Sequence, residues 1–111
     1  MKIAAVRRIA LSLPEANEEP HFNYVSFRVR GKIFVTVPPD EEHIHVFVAE
    51  QAREQALALY PQSVEKLLWG SKVVGLRVSV ATAPVDVVDA LIRQAWSHKA
   101  PKALLAAGPV Q

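Results

Sequence analysis

The sequence predicts a single α+β domain, residues 1–111, whose antiparallel sheet carries its helices on one face. Three observations lead there. Apolar and polar residues alternate at period two in several short stretches, as in half-buried strands. Apolar residues recur at helical spacing in three others. The alternating stretches follow one another through short turns, which is the arrangement of hairpins and not of parallel crossover units. The predicted order is α-β-β-β-α-β-β-α.

Ile3, Val6, Ala10 and Leu13 place a helix over 2–13, with Arg7 and Arg8 on its wet side and Pro14 as its stop. Glu15 to Pro20 reads as an acidic loop bounded by two prolines. Strands follow near 24–30 and 33–38, then a turn at Pro38-Pro39-Asp40-Glu41-Glu42. His43 to Ala49 is a third strand, with Ile44, Val46 and Val48 on one face and His43, His45 and Phe47 on the other. Residues 50–60 form a helix with Ala52, Ala56 and Leu59 inward, and Pro61 ends it. Residues 64–69 fit either a short strand or a helical turn. Gly70 and Gly75 bracket a hairpin loop holding Ser71 and Lys72, ahead of a strand over 74–81. Thr82 is the expected N-cap of the last helix, whose apolar stripe is Val88, Leu91, Ile92, Ala95 and Trp96. After Pro101, Lys102 to Ala107 adds one more turn. Both Trp69 and Trp96 are expected in the core.

The hairpin centred on Gly31 sets the sheet. Phe27, Val29, Ile33, Val35 and Val37 share a face if Val29 lies opposite Ile33, so a three-residue connection of Arg30, Gly31 and Lys32 is expected. That register puts Phe34 on the other face, together with Arg28 and near Phe47.

Composition narrows the function classes. Half of the residues are hydrophobic and 22% are charged, which is ordinary globular composition. No apolar run approaches the roughly 18 residues of a membrane span. Arg7 and Arg8 interrupt any secretory signal at the start of the chain, so the cytoplasm is the expected compartment. Absence of cysteine excludes disulfides, thiolate nucleophiles and cysteine-ligated metals. A net charge of +2 and a pI near 9.2 permit contact with polyanions without forming a dense basic stripe.

Three groups of residues together carry a resemblance. They are Leu11-Ser12-Leu13-Pro14, Ser26-Phe27-Arg28-Val29-Arg30-Gly31-Lys32-Ile33-Phe34, and Ala95-Trp96 with Ala100-Pro101-Lys102. In this order they resemble the MmcQ/YjbR family over nearly the whole chain. The resemblance implies a small bacterial protein with a fold likened to bacterial frataxin and DNA binding through a double wing of hairpins. The chain departs from the family pattern at His21-Phe22-Asn23-Tyr24-Val25 and at Trp69-Gly70-Ser71-Lys72-Val73-Val74-Gly75-Leu76, the second of which bears on the tip of one wing.

The residues offer three readings of the sheet's non-core face. Arg28, Arg30, Lys32, Lys72 and Arg77 present cations to phosphates from two hairpins, Phe34 adds a stacking ring, and Lys99 and Lys102 extend the patch. Alternatively, arginine stems cover Phe34 and Phe47 on a solvated face. In the third reading a protein partner or a second copy covers those two rings. Glu41, His43 and His45 share a strand face, yet no further ligand joins them, so no metal and no cofactor are expected. The acidic clusters at Glu15, Glu18, Glu19 and at Asp40, Glu41, Glu42 read as solvated loop charge. No nucleophile elbow, phosphate loop or dinucleotide fingerprint is present, and an enzyme is not expected.

Overall fold

In the computed structural model, which describes residues 1–107, Ile3–Leu11 forms α1. Its Val6 and Ala10 are buried, and Ser12 closes it by donating its hydroxyl to the carbonyl of Ile9 at 2.6 Å. The sheet has six strands where the sequence predicts five. They are β1 (Ala16–His21), β2 (Tyr24–Val29), β3 (Lys32–Val37), β4 (His43–Val46), β5 (Val64–Trp69) and β6 (Lys72–Ser79). Their spatial order is β1-β2-β3-β4-β6-β5, and every neighbouring pair is antiparallel.

The additional strand is the stretch expected as an acidic loop. Asn17, Glu18, Glu19 and Pro20 are poor strand formers, but β1 lies at the sheet's edge, where proline and charge are tolerated and discourage pairing with another chain. Residues 64–69 resolve as the strand at the opposite edge.

The β2–β3 hairpin corrects the expected turn. Val29 pairs with Lys32, so the connection is the two residues Arg30 and Gly31, with φ of 50° and 81°. Positive φ at both positions is the type I′ geometry that matches strand twist. Beyond it the register shifts: Arg28 pairs with Ile33 but Phe27 with Val35, leaving Phe34 as the extra residue of a bulge. The pairs Phe27–Val35 and Val25–Val37 then follow the register that keeps the apolar set on one face. Because the bulge interrupts the alternation, Phe34 and Val35 both enter the core, and Phe34 is fully buried.

The core lies between that sheet face and the helices. Phe27, Phe34, Val35, Ile44, Val46, Leu76 and Val78 meet Val6 and Ala10 of α1 and Val88, Ile92, Ala95 and Trp96 of α3 (Val85–Lys99). Trp96 is fully buried, and its indole N–H donates to the carbonyl of Pro14 at 3.0 Å, tying α3 to the end of α1. The helix α2 (Glu50–Leu59) packs beside β5 and β6 with Ala56 buried, whereas Leu59, expected inward, is 58% exposed. The N-cap of α3 is Pro84, not Thr82, whose hydroxyl instead meets that of Ser63 at 3.0 Å. The short α4 (Lys102–Ala107) adds Leu104 to the core.

Gly70 sits in the β5–β6 turn with φ of 63°. Gly75 lies within β6, where a Cβ would collide with the backbone carbonyl of Val46 on the adjacent strand.

Candidate nucleic-acid interface

Helices cover one face of the sheet and leave the other open, and the open face forms a groove of about 1120 Å³. It runs from the β1–β2 turn at Phe22 to the β5–β6 turn at Trp69, with Ile33, Thr36, His45 and Phe47 between them. Its rim takes in Glu50 and Arg53 of α2 and His98 and Lys99 of α3.

Alternation places the floor. Ile44 and Val46 of β4 point into the core, so His43 and His45 point the other way. His45 is buried and held at both ring nitrogens, by Arg77 Nη1 at 3.0 Å from Nε2 and by Thr36 Oγ1 at 3.3 Å from Nδ1. A guanidinium only donates, so Nε2 accepts, and the ring is the neutral tautomer that donates from Nδ1 to Thr36. Burial, reinforced by the Arg77 charge, pushes the His45 pKa down to about 4. Asp40 closes the cluster. Its carboxylate accepts from His43 Nδ1 at 3.0 Å and from Arg77 Nη2 at 3.4 Å, and the backbone N–H of Glu42 holds its pKa below the usual range. This ion-paired group is an internal support of the sheet. Asp40, not Glu41, is the carboxylate beside the histidines, and among the described residues no three His, Asp or Glu side chains converge as metal ligands.

The expected site residues separate into two sets. Arg28, Lys32, Lys72 and Lys99 line the groove. Arg28 is partly engaged, donating to Ser26 Oγ at 3.0 Å with Glu19 3.9 Å away. Arg30, Arg77, Lys102 and Phe34 do not line it. Arg30 donates from Nε and Nη2 to the two carboxylate oxygens of Glu15, whose pKa that contact lowers. Arg77 is turned into the histidine cluster. Phe34 is in the core and offers no ring to a ligand, so the expected Phe34 and Phe47 surface does not form.

The structure adds residues that the sequence reading passes over. Trp69, expected in the core, is 63% exposed, and its ring packs against Phe47 at 5.9 Å between centroids. Phe22 is 93% exposed, and Tyr24 lies 5.9 Å from the His45 ring. Arg53 and His98 complete the rim, and burial together with the Lys99 charge lowers the His98 pKa. A signal for two of these was present: Phe22 and Trp69 flank or occupy turns, where a large ring has no core to join.

Charge is sorted unevenly. Five cations, Arg28, Lys32, Arg53, Lys72 and Lys99, line the groove against the single carboxylate of Glu50. Glu15, Glu18, Asp40 and Asp89 are paired with arginines outside that lining, whereas within it Arg53 is paired with Glu54 at 2.9 Å and Arg28 has Glu19 3.9 Å away, which leaves the three lysines as the uncompensated charge. Among the described residues, no lysine is within ion-pair distance of a carboxylate. No described helix is long and apolar enough to cross a membrane.

The family model described as YjbR matches residues 11–98 of the chain. Among solved structures, Deinococcus radiodurans protein DR2400, a protein of domain DUF419, is similar with a TM-score of 0.73 and 17% identity. That match covers 86% of this chain and 75% of the other, and it is a likeness of fold. No curated protein sequence matches the chain.

Proposed function

Because this chain belongs to the YjbR family, we propose that it binds nucleic acid, DNA foremost, through the groove on the open face of its sheet. The observation that supports this reading is that Lys32, Lys72 and Lys99 line the groove with no carboxylate within ion-pair distance, in a chain whose total charge is only +2. Lys32, Lys72 and Lys99 hold phosphates, and Arg28, whose nearest carboxylate is 3.9 Å away, adds to the positive field. The role is one of binding and not catalysis, in a bacterial cytoplasm. A protein partner is the second reading, favoured by Phe22, Leu68 and Trp69, which expose large apolar groups at two turns.

Fluorescence anisotropy of labelled oligonucleotides at several salt concentrations tests the proposal. Three phosphate contacts give a log–log salt slope of roughly −2 to −3. Lys32→Glu with Lys72→Glu and Lys99→Glu abolishes binding. Flat anisotropy with every oligonucleotide at low salt refutes nucleic-acid binding and turns the search to proteins that cover Trp69.

A further inference from the structure

The groove's aromatic residues specify which form of nucleic acid it takes. Phe22 occupies the β1–β2 turn with φ of 58°, a backbone conformation that is unfavourable for a bulky residue and suits glycine or asparagine. Its ring is 93% exposed, so it recovers no core packing for that strain. Trp69 stands at the opposite end, 63% exposed, with the nearly buried Phe47 ring against it. Two large rings thus stand largely in water at the two ends of one cationic groove, each touched by a single neighbouring ring, Trp69 by Phe47 and Phe22 by His21 at 4.9 Å between centroids.

Resting on the nucleic-acid reading above, we infer that the groove takes a single strand whose unpaired bases stack on Trp69 and Phe22 while its phosphates lie along Lys32, Lys72 and Lys99. In a duplex the base faces are already stacked and paired, and neither ring would find one. A splayed strand offers those faces, and base–aromatic stacking is indifferent to base identity. The groove presents strands, turns and helix ends, with no whole helix to enter a major groove. Its floor is closed to base reading as well. Thr36 and His45 are bonded within the protein, and no buried side-chain polar atom among the described residues lacks a partner. Binding is therefore tolerant of sequence. The two turns lie at opposite edges of a six-stranded sheet. Four spacings of about 4.8 Å set the two turns about 19 Å apart across the sheet, and because they also lie at opposite ends of the strands the path from Phe22 to Trp69 is a longer diagonal, room for at least roughly four nucleotides.

The test compares a labelled oligothymidylate of roughly 12 nucleotides, the matching oligouridylate and a duplex of equal length at about 50 mM salt. The expected result is affinity at least about tenfold higher for both single strands than for the duplex, with Trp69 fluorescence quenched against the constant signal of buried Trp96. Trp69→Ala and Phe22→Ala, both at exposed positions, each weaken single-strand binding roughly 5- to 100-fold and leave duplex binding unchanged. Equal or tighter binding of the duplex, or single-strand binding indifferent to both aromatic variants, overturns the inference while leaving nucleic-acid binding standing. Absence of binding to all three probes overturns both, and a Trp69-dependent protein complex would then account for the exposed rings.

Discussion

Lowering the pH from about 7 to about 5 unfolds this protein more readily if His45 is neutral in the fold, and the size of the effect follows from its surroundings. Thr36 on β3, Tyr24 on β2, Arg77 on β6 and the neighbouring His43 and Asp40 enclose the ring. Arg77 and His43 disfavour a second cation there, and Asp40 opposes them only in part. The folded pKa is about 4 against 6.5 for a free imidazole. Between those values the unfolded chain binds a proton that the folded one refuses, so stability rises with pH, and it is lost as pH falls from about 6.5 towards 4. Linkage over that window gives a loss of about 2 kcal/mol between pH 7 and pH 5, a sizeable part of a total near 5–15 kcal/mol. Urea unfolding of the wild type and of His45→Gln at both pH values measures it. Glutamine keeps a carbonyl for Arg77 and an amide for Thr36 but does not titrate, so the variant loses less stability over the same interval by about 2 kcal/mol. Equal pH dependence in the two proteins would refute the neutral, Arg77-bound ring.

Other perturbations separate structural residues from binding ones. Phe34→Ala destabilises the fold by about 3–5 kcal/mol in chemical denaturation, since it empties a core position; a change confined to oligonucleotide affinity would instead return Phe34 to the surface. Gly75→Ala drives a methyl group against the backbone of β4 and lowers stability by about 1–3 kcal/mol, read from the same denaturation midpoint; an unchanged midpoint would contradict the close approach of β6 to Val46. Lys72→Ala reduces the magnitude of the salt slope of oligonucleotide binding by about 1. Arg30→Ala leaves that slope unchanged, because Arg30 is already engaged by Glu15 and does not line the groove.

The parts of the fold legible in the sequence are those where local preference and burial agree. Phe27, Val35 and Val37 alternate with polar neighbours, and the sheet they predict is the sheet observed. The last helix was equally legible, since Val88, Leu91, Ile92, Ala95 and Trp96 form one stripe and all enter the core. Legibility fails where tertiary pairing overrides preference. Nothing in Asn17-Glu18-Glu19-Pro20 favours a strand; β2 supplies the hydrogen bonds that make it one, and the exposed edge tolerates its charge. The bulge is a subtler failure. Strict alternation carries Phe34 to the open face, and one extra residue carries it back.

That single displacement also explains why the candidate site was half visible. Cations at strand positions and hairpin tips, Arg28, Lys32 and Lys72, follow from sequence because a charged side chain has few alternatives to solvent. Whether such a charge is available is a different question, decided by partners distant in sequence: Glu15 takes Arg30, and Asp40 with His45 takes Arg77, 37 and 32 residues away. The structure corrects two rings in opposite directions: Trp69, expected in the core, stands exposed, and Phe34, expected on the open face, is fully buried. The outcome is a sheet whose covered face holds the buried core and whose open face keeps unpaired lysines beside exposed rings. Phosphate attraction and base stacking require that combination on one surface, and the groove is where this fold places it.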